Sequence, residues 1–392
     1  MKRIRSLLVA GSIAATPQGM VAQAAQQLRL PPADAKLDFE FSAILSAREL
    51  RDGRLLVADG TEGKVFVADF GRATVGPVGR NGQGPGEYQA PGPLLPIGSD
   101  STLMVEQRNG RWHLLSGATI AATLAPDDNA VVAAHREATA ADGTGNVYST
   151  MGVRVAKAPP TLAMMDPESL VVLRVRRRDA HVDTVATVKN APRHVDIRTD
   201  VAGKITSVSI MAPPFVVKEE VVAFEDGWVA IVRVDPYRVD WRAPAGRVMR
   251  GRALPWPAVE LSEADVAEFL RARTRSTGNA ADQDVRLRQQ LADAMKLAPE
   301  RLPPFAGGGP SVRGGPTMPG VLALGDGRLL IRHPETPDHP AARYDVVNRR
   351  GALDATLALG KSTWIVAVGR SHAYVAMMDD DGLQYLSRHP WP

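Results

Sequence analysis

Short apolar runs recur along the chain, each behind a polar turn of Asp and Gly. Arg51-Asp52-Gly53-Arg54 precedes Leu55-Leu56-Val57-Ala58, Glu225-Asp226-Gly227 precedes Trp228-Val229-Ala230-Ile231-Val232, and Gly325-Asp326-Gly327-Arg328 precedes Leu329-Leu330-Ile331. Looser copies start near Ser99, Asp142 and Gly360. A second short strand follows each run, as Lys64–Phe70 follows Leu55–Asp59 across Gly60-Thr61-Glu62-Gly63. Strand pairs repeated every several dozen residues, with Gly and Asp in the turns, predict a β-propeller. Residues 37–390, less a dissimilar stretch at about 256–317, leave roughly fifty residues per blade, which fits six blades. Leu37-Asp38-Phe39-Glu40-Phe41 alternates apolar and polar positions and reads as a strand. It is expected beside the C-terminal strands, so that both chain ends share one blade and no long edge stays open.

The stretch at about 256–317 differs in period, and it makes the predicted fold an all-β six-bladed propeller with a helical insertion between blades four and five. Ser262 is a predicted N-cap, with Glu263 and Asp265 favourably placed in the first turn. Val266, Phe269 and Leu270 then share a face. A second helix is expected over Asp282–Lys296, and Pro303-Pro304-Phe305-Ala306-Gly307-Gly308-Gly309-Pro310 is a loop by composition. Such an insertion can serve as a lid, a docking surface or packing material.

The first residues follow neither period. Lys2, Arg3 and Arg5 precede an apolar run from Leu7 to Ala15, and Val21-Ala22-Gln23-Ala24 supplies a small-residue cleavage site. Residues 1–24 therefore read as a signal peptide cut after Ala24, which directs the chain to the periplasm or the exterior. The run is too short for a stable span, so no membrane span is expected after cleavage; an uncleaved anchor is the alternative. Residues 25–36 are expected to be a mobile leader, and 37–392 the propeller. Export also changes the charge. The formal +4 falls to 44 basic against 43 acidic residues once 1–24 are removed, which gives no argument for nucleic acid. Arg174-Val175-Arg176-Arg177-Arg178 is expected on a solvated edge strand. With no Cys, disulfides, thiolate metal sites and a Cys nucleophile are excluded.

Gly79-Arg80-Asn81-Gly82-Gln83-Gly84-Pro85-Gly86-Glu87-Tyr88 resembles the G-R-x-G-x-G-P-G-E-Y/F segment of secreted bacterial six-bladed β-propeller proteins. Those are akin to NHL-repeat proteins and, more distantly, to the calcium-dependent gluconolactonase-like hydrolases. Asp235–Trp241, Tyr344–Asn348 with Arg350-Gly351, and Asp381-Gly382-Leu383-Gln384 match the same pattern, and the resemblance covers about 38–390. It implies the propeller and leaves activity open. Gluconolactonase-like enzymes are similar in using a Glu, Asn and Asp set around the axis, but that set does not map residue by residue onto this chain.

Several clusters could carry chemistry. Arg80, Glu87 and Tyr88 sit in a turn-rich loop with exposed amides, either ligand-facing or a connector clamped by an Arg80–Glu87 pair. Its glycine spacing is not that of a phosphate loop. Asp235, Tyr237, Arg238 and Trp241 offer the stacking and hydrogen-bonding groups of a polar or sugar-like ligand site, or else fill the space between blades. His333 and His339 are the candidate channel-facing pair, with solvated loop histidines as the alternative. Asp379-Asp380-Asp381-Gly382 lacks the closing Glu of a calcium loop and reads as a hairpin turn. No G-x-S-x-G motif occurs.

The leading expectation is an exported monomer that binds a small polar molecule, glycan, peptide or partner protein at one face of the ring, with no cofactor required. The alternative is a metal-dependent hydrolase or lyase acting on a lactone or ester at the axis, which would take calcium or magnesium. A third is a scaffold with no small ligand.

Overall fold

The Asp-Gly turn sets the repeat. In blade one the Leu50 amide donates to the Arg54 carbonyl and the Gly53 amide returns to Leu50. Asp52 Oδ1 accepts from the Arg54 amide at 3.1 Å. Blades four and five repeat the pattern at Phe224–Trp228 and Leu324–Arg328. The glycine adopts φ 85°, 80° and 85° in the three turns, a left-handed conformation that costs Gly little and other residues more.

The computed structural model describes residues 25–392 apart from 99, 107, 127–128, 136–137, 153–167, 202–203, 212, 275–279, 308–318 and 337–339. The expected signal peptide lies outside the described residues, and so does His339.

Six four-stranded antiparallel sheets form the blades of a propeller. Each turn joins an innermost strand to the second strand of its blade, so the innermost strand precedes the turn. The six innermost strands are Ile44–Glu49, Pro91–Pro96, Ala138–Ala141, Glu220–Ala223, Val321–Ala323 and Thr363–Val368. They stand side by side around a central channel. Pro91–Pro96 is the inner strand of blade two.

The second strands carry continuous apolar runs because both of their faces are covered by neighbouring blades. Side chains alternate between the two interfaces. Leu55 and Val57 pack towards blade six with Trp364 and Tyr374, while Leu56 and Ala58 pack towards blade two with Leu94 and Met104. Leu329 and Ile331 face blade four and Trp241, whereas Leu330 faces blade six and Ile365. The core is thus six separate interfaces, one between each pair of neighbouring blades, rather than one central mass.

The ring closes as the sequence predicts, with a shift. The N-terminal strand in blade six is Ala35–Lys36, paired with Arg388 and Ser387, and Phe41 bridges to Gln384. The stretch expected to be a mobile leader is tied down. Gln26–Leu28 adds a fifth strand to blade five, parallel to Leu353–Lys361. The Arg174–Arg178 run is not on an edge. Ser169–Arg176 is paired on both sides, and Asp183 on the adjacent strand takes the Arg174 guanidinium at 2.8 Å. Cross-strand charge pairing lets an arginine-rich strand sit inside a sheet.

The insertion contains helices Glu263–Thr274 and Ala280–Leu297. Ser262 caps the first reciprocally: its Oγ accepts from the Asp265 amide, and Asp265 Oδ2 accepts from the Ser262 amide. Val266 is buried and Phe269 packs on Phe215, just before blade four. The base of the insertion is a paired neck, with the Leu302 amide donating to Val259 and the Leu261 amide to Glu300. Among the described residues no helix is long and apolar enough to cross a membrane.

Candidate functional site

The sequence-predicted site residues fall into three places. In the Arg80–Tyr88 loop, Arg80 Nε meets Glu87 Oε1 at 2.6 Å, so the expected pair forms. Glu87 Oε2 also accepts from the Gly84 amide at 2.8 Å. The Gly84 amide first, then the Arg80 guanidinium, hold the Glu87 carboxyl below the usual range. A Cβ at Gly82 would stand 2.1 Å from the Glu87 carboxylate and displace it. Tyr88 points inward and is buried, its hydroxyl donating to Val78 O and accepting from the Val65 amide. The loop is therefore folded around its own carboxylate and sealed by a buried phenol.

Asp235 lies exposed on the turn between the second and third strands of blade four. Tyr237 and Trp241 enter the interface with blade five, where Trp241 packs on Phe224. Arg238 pairs with Asp240 at 2.9 Å, and Arg233 extends the chain from Asp240 to Glu219.

His333 joins this same interface from blade five. Its Nε2 lies 3.0 Å from Asp345 Oδ1, and Asp345 Oδ2 accepts from the Tyr237 hydroxyl at 2.9 Å. Nδ1 faces the Pro304 carbonyl at 2.7 Å and therefore carries a proton, because a carbonyl can only accept. The ring stacks on Trp256 at 4.7 Å. Burial above all, then the Asp345 carboxylate, drives the Tyr237 hydroxyl well above its ordinary pKa, so it stays a donor. The structure thus brings Tyr237 and His333 together as anchors of the insertion, away from the channel lining.

The channel itself is a cavity of about 1180 Å³. Its wall is made by the inward edges of the six innermost strands, whose outward edges alone are paired within the blades. Such edges present free backbone donors and acceptors. The exposed Thr139, with Ser46, Lys218 and Glu220, lines the wall, and Arg48, Arg51 and Glu225 lie towards the Asp-Gly turns. These residues escape sequence reasoning because the inner strands carry a weaker pattern than the second strands. For Arg48, Arg51 and Glu225, a position in or beside a repeated Asp-Gly turn is the signal that could have found them.

Most charge near the turns is internally matched. Arg349 reaches from blade five to Asp226 of blade four at 2.6 Å and covers Phe224 and Trp228. Arg370 of blade six meets Glu49 of blade one, which also accepts from Tyr374. Asp326 is held by Arg328 at 2.7 Å. A divalent metal needs several oxygen ligands converging on one point. Among the described residues no group of three His, Asp or Glu side chains does so, and Glu49, Asp226 and Asp326 are each paired with an arginine. No axial metal site is seen among the described residues, and no chemistry is routed through one.

No family model matches the chain, and no curated protein matches it in sequence. Solved structures similar to it include a calcium-binding protein, regucalcin, from Agrobacterium tumefaciens, at 12% identity over 94% of this chain and 97% of that one, with a TM-score of 0.38. A luciferin-regenerating enzyme is 9% identical over 92% of this chain and 95% of its own, TM-score 0.43. Virginiamycin B lyase from Staphylococcus aureus is 8% identical over 91% and 98%, TM-score 0.41. At this level of likeness no activity passes to this chain.

Proposed function

We propose that the protein is an exported, monomeric binding propeller whose site is the central channel and whose ligand is a small polar molecule. The observation that carries this reading is the open cavity of about 1180 Å³, walled by strand edges with free hydrogen-bonding groups. That volume suits a small molecule. Glu87, Tyr88, Tyr237, Arg238 and His333 spend their polar groups on the fold, whereas the channel is a concave surface with groups to offer. Export follows from the signal-like residues 1–24. For the hydrolase or lyase alternative, no three His, Asp or Glu side chains converge among the described residues.

The test is a thermal-shift screen of residues 25–392 with neutral sugars, polyols, lactones and amino acids, repeated on Thr139→Trp. Thr139 is exposed on the channel wall, so an indole there occupies the cavity without entering a blade interface. Hits that stabilise the parent and lose their effect in Thr139→Trp support the reading. Hits that bind both proteins equally, or no hits at all, overturn it.

A further inference from the structure

Arg48 is the unusual charge in the channel. It lies on the inner strand of blade one, and its guanidinium donates to the Ser101 carbonyl, the Thr102 hydroxyl and the Gly98 carbonyl, the last at 2.7 Å. All three partners are neutral. Among the described residues it forms no ion pair, whereas the neighbouring Arg349 and Arg370 each have a carboxylate. Burial pulls its pKa down to about 10, with Glu225 and Asp100 only partly offsetting the loss of hydration. A guanidinium carries five N–H donors, so the three neutral acceptors leave two unengaged. A partly dehydrated cation with spare donors and no counter-ion gains more from an added carboxylate than a hydrated one does.

The opposite charge is close by. Glu225 belongs to the Asp-Gly turn of blade four, across the ring from blade one, and lines the same mouth. It is exposed, its side chain has no protein partner among the described residues, and with Asp100 it is one of the two anions whose charge acts on Arg48. Its backbone carbonyl is pinned by the Gly143 amide at 3.0 Å, so its turn is fixed on the ring. Arg51, exposed beside Arg48, adds a second cation on the same side.

We infer that the channel mouth at the Asp-Gly turns binds a small zwitterion, its carboxylate held by Arg48 and its cationic group facing Glu225. Amino acids are the simplest members of this class. The inference rests on the channel being the binding site and names the ligand class that site takes.

The experiment is binding to residues 25–392 by isothermal titration, using the common α-amino acids and a series of ω-amino acids that varies the spacing between the charges. For each binder, the matching amide and the matching amine without the carboxylate are titrated too. The expected result is a zwitterion that binds, an amide and an amine that do not, and at least about a tenfold loss in Arg48→Gln. Glu225→Gln should remove the preference for the zwitterion over the carboxylate lacking the cationic group. Arg48 also ties blade one to blade two, so near-ultraviolet circular dichroism accompanies each variant. If Arg48→Gln does not fold, Arg48→Lys and the loss of affinity with rising salt take its place. No binding by any amino acid, or amides binding as well as acids, overturns the inference. If neutral sugars or polyols bind and Thr139→Trp excludes them, the channel reading stands while this one falls; if nothing binds, both fall.

Discussion

At Glu106 the physics of a single buried carboxylate can be followed closely. Burial alone would raise its carboxyl, but Arg111, the Gln89 amide and His113 outweigh that and hold it below the usual range. Arg111 Nε stands 2.7 Å away and His113 Nε2 3.2 Å. A carboxyl with a depressed folded pKa contributes stability above its unfolded value of about 4.3 and forfeits it as pH falls through the folded pKa. His113, lowered by burial, acts in the same direction: below about 6.5 the unfolded chain takes up a proton that the folded one resists. Glu106→Gln is therefore expected to cost about 1–3 kcal/mol at neutral pH and to flatten the loss of stability between roughly pH 5 and 3. Urea midpoints across that range check it; an unchanged acid slope would show that Glu106 does not drive acid unfolding.

At the scale of elements, the second strands were the most legible part of the chain. Leu55–Asp59 and Leu329–Arg332 are apolar on both faces because each serves two interfaces. Inner strands such as Pro91–Pro96 were harder to see, since one edge faces the channel and tolerates Pro and Gly. Both helices of the insertion were visible from capping and spacing, and the structure extends the second only to Ala280–Leu297. Its neck is closed by its own hydrogen bonds, so the ring should not depend on the helices. Replacing 263–298 by a short glycine-serine linker is expected to leave a folded propeller whose circular dichroism loses helix and keeps strand. A chain that fails to fold would mean that the Val266 and Phe269 contacts are integral to blade four.

At the scale of the whole molecule, closure is the decisive event. The Phe41 side chain is fully buried, packing on Phe39 and Phe66, while Gln384 Oε1 takes the Ile44 amide at 3.0 Å. Loss of one buried Phe costs about 3–5 kcal/mol, and the lost strand pairing adds to it. Truncation through Phe41 is thus expected to lower the melting temperature by more than about 10 °C, whereas removing only 25–30 should cost far less. Equal melting temperatures for the two truncations would place closure elsewhere.

The sequence by itself determined the repeat, the blade number, the helical excursion and the pairing of the two ends, because turn chemistry and side-chain alternation are local and recur. It also offered the Arg80–Glu87 pair, seven residues apart on a glycine-rich loop, as one of two readings, and the structure forms that pair. Only the tertiary structure decided what faces the channel. Tyr237 lies 108 residues from Asp345, and blade packing turns it and Trp241 into the wall between blades. Arg48 and Glu225 meet the same cavity only because the ring closes and sets blade one opposite blade four. Burial and the distance between remote charges are set by closure of the ring, and no pattern confined to one blade encodes them.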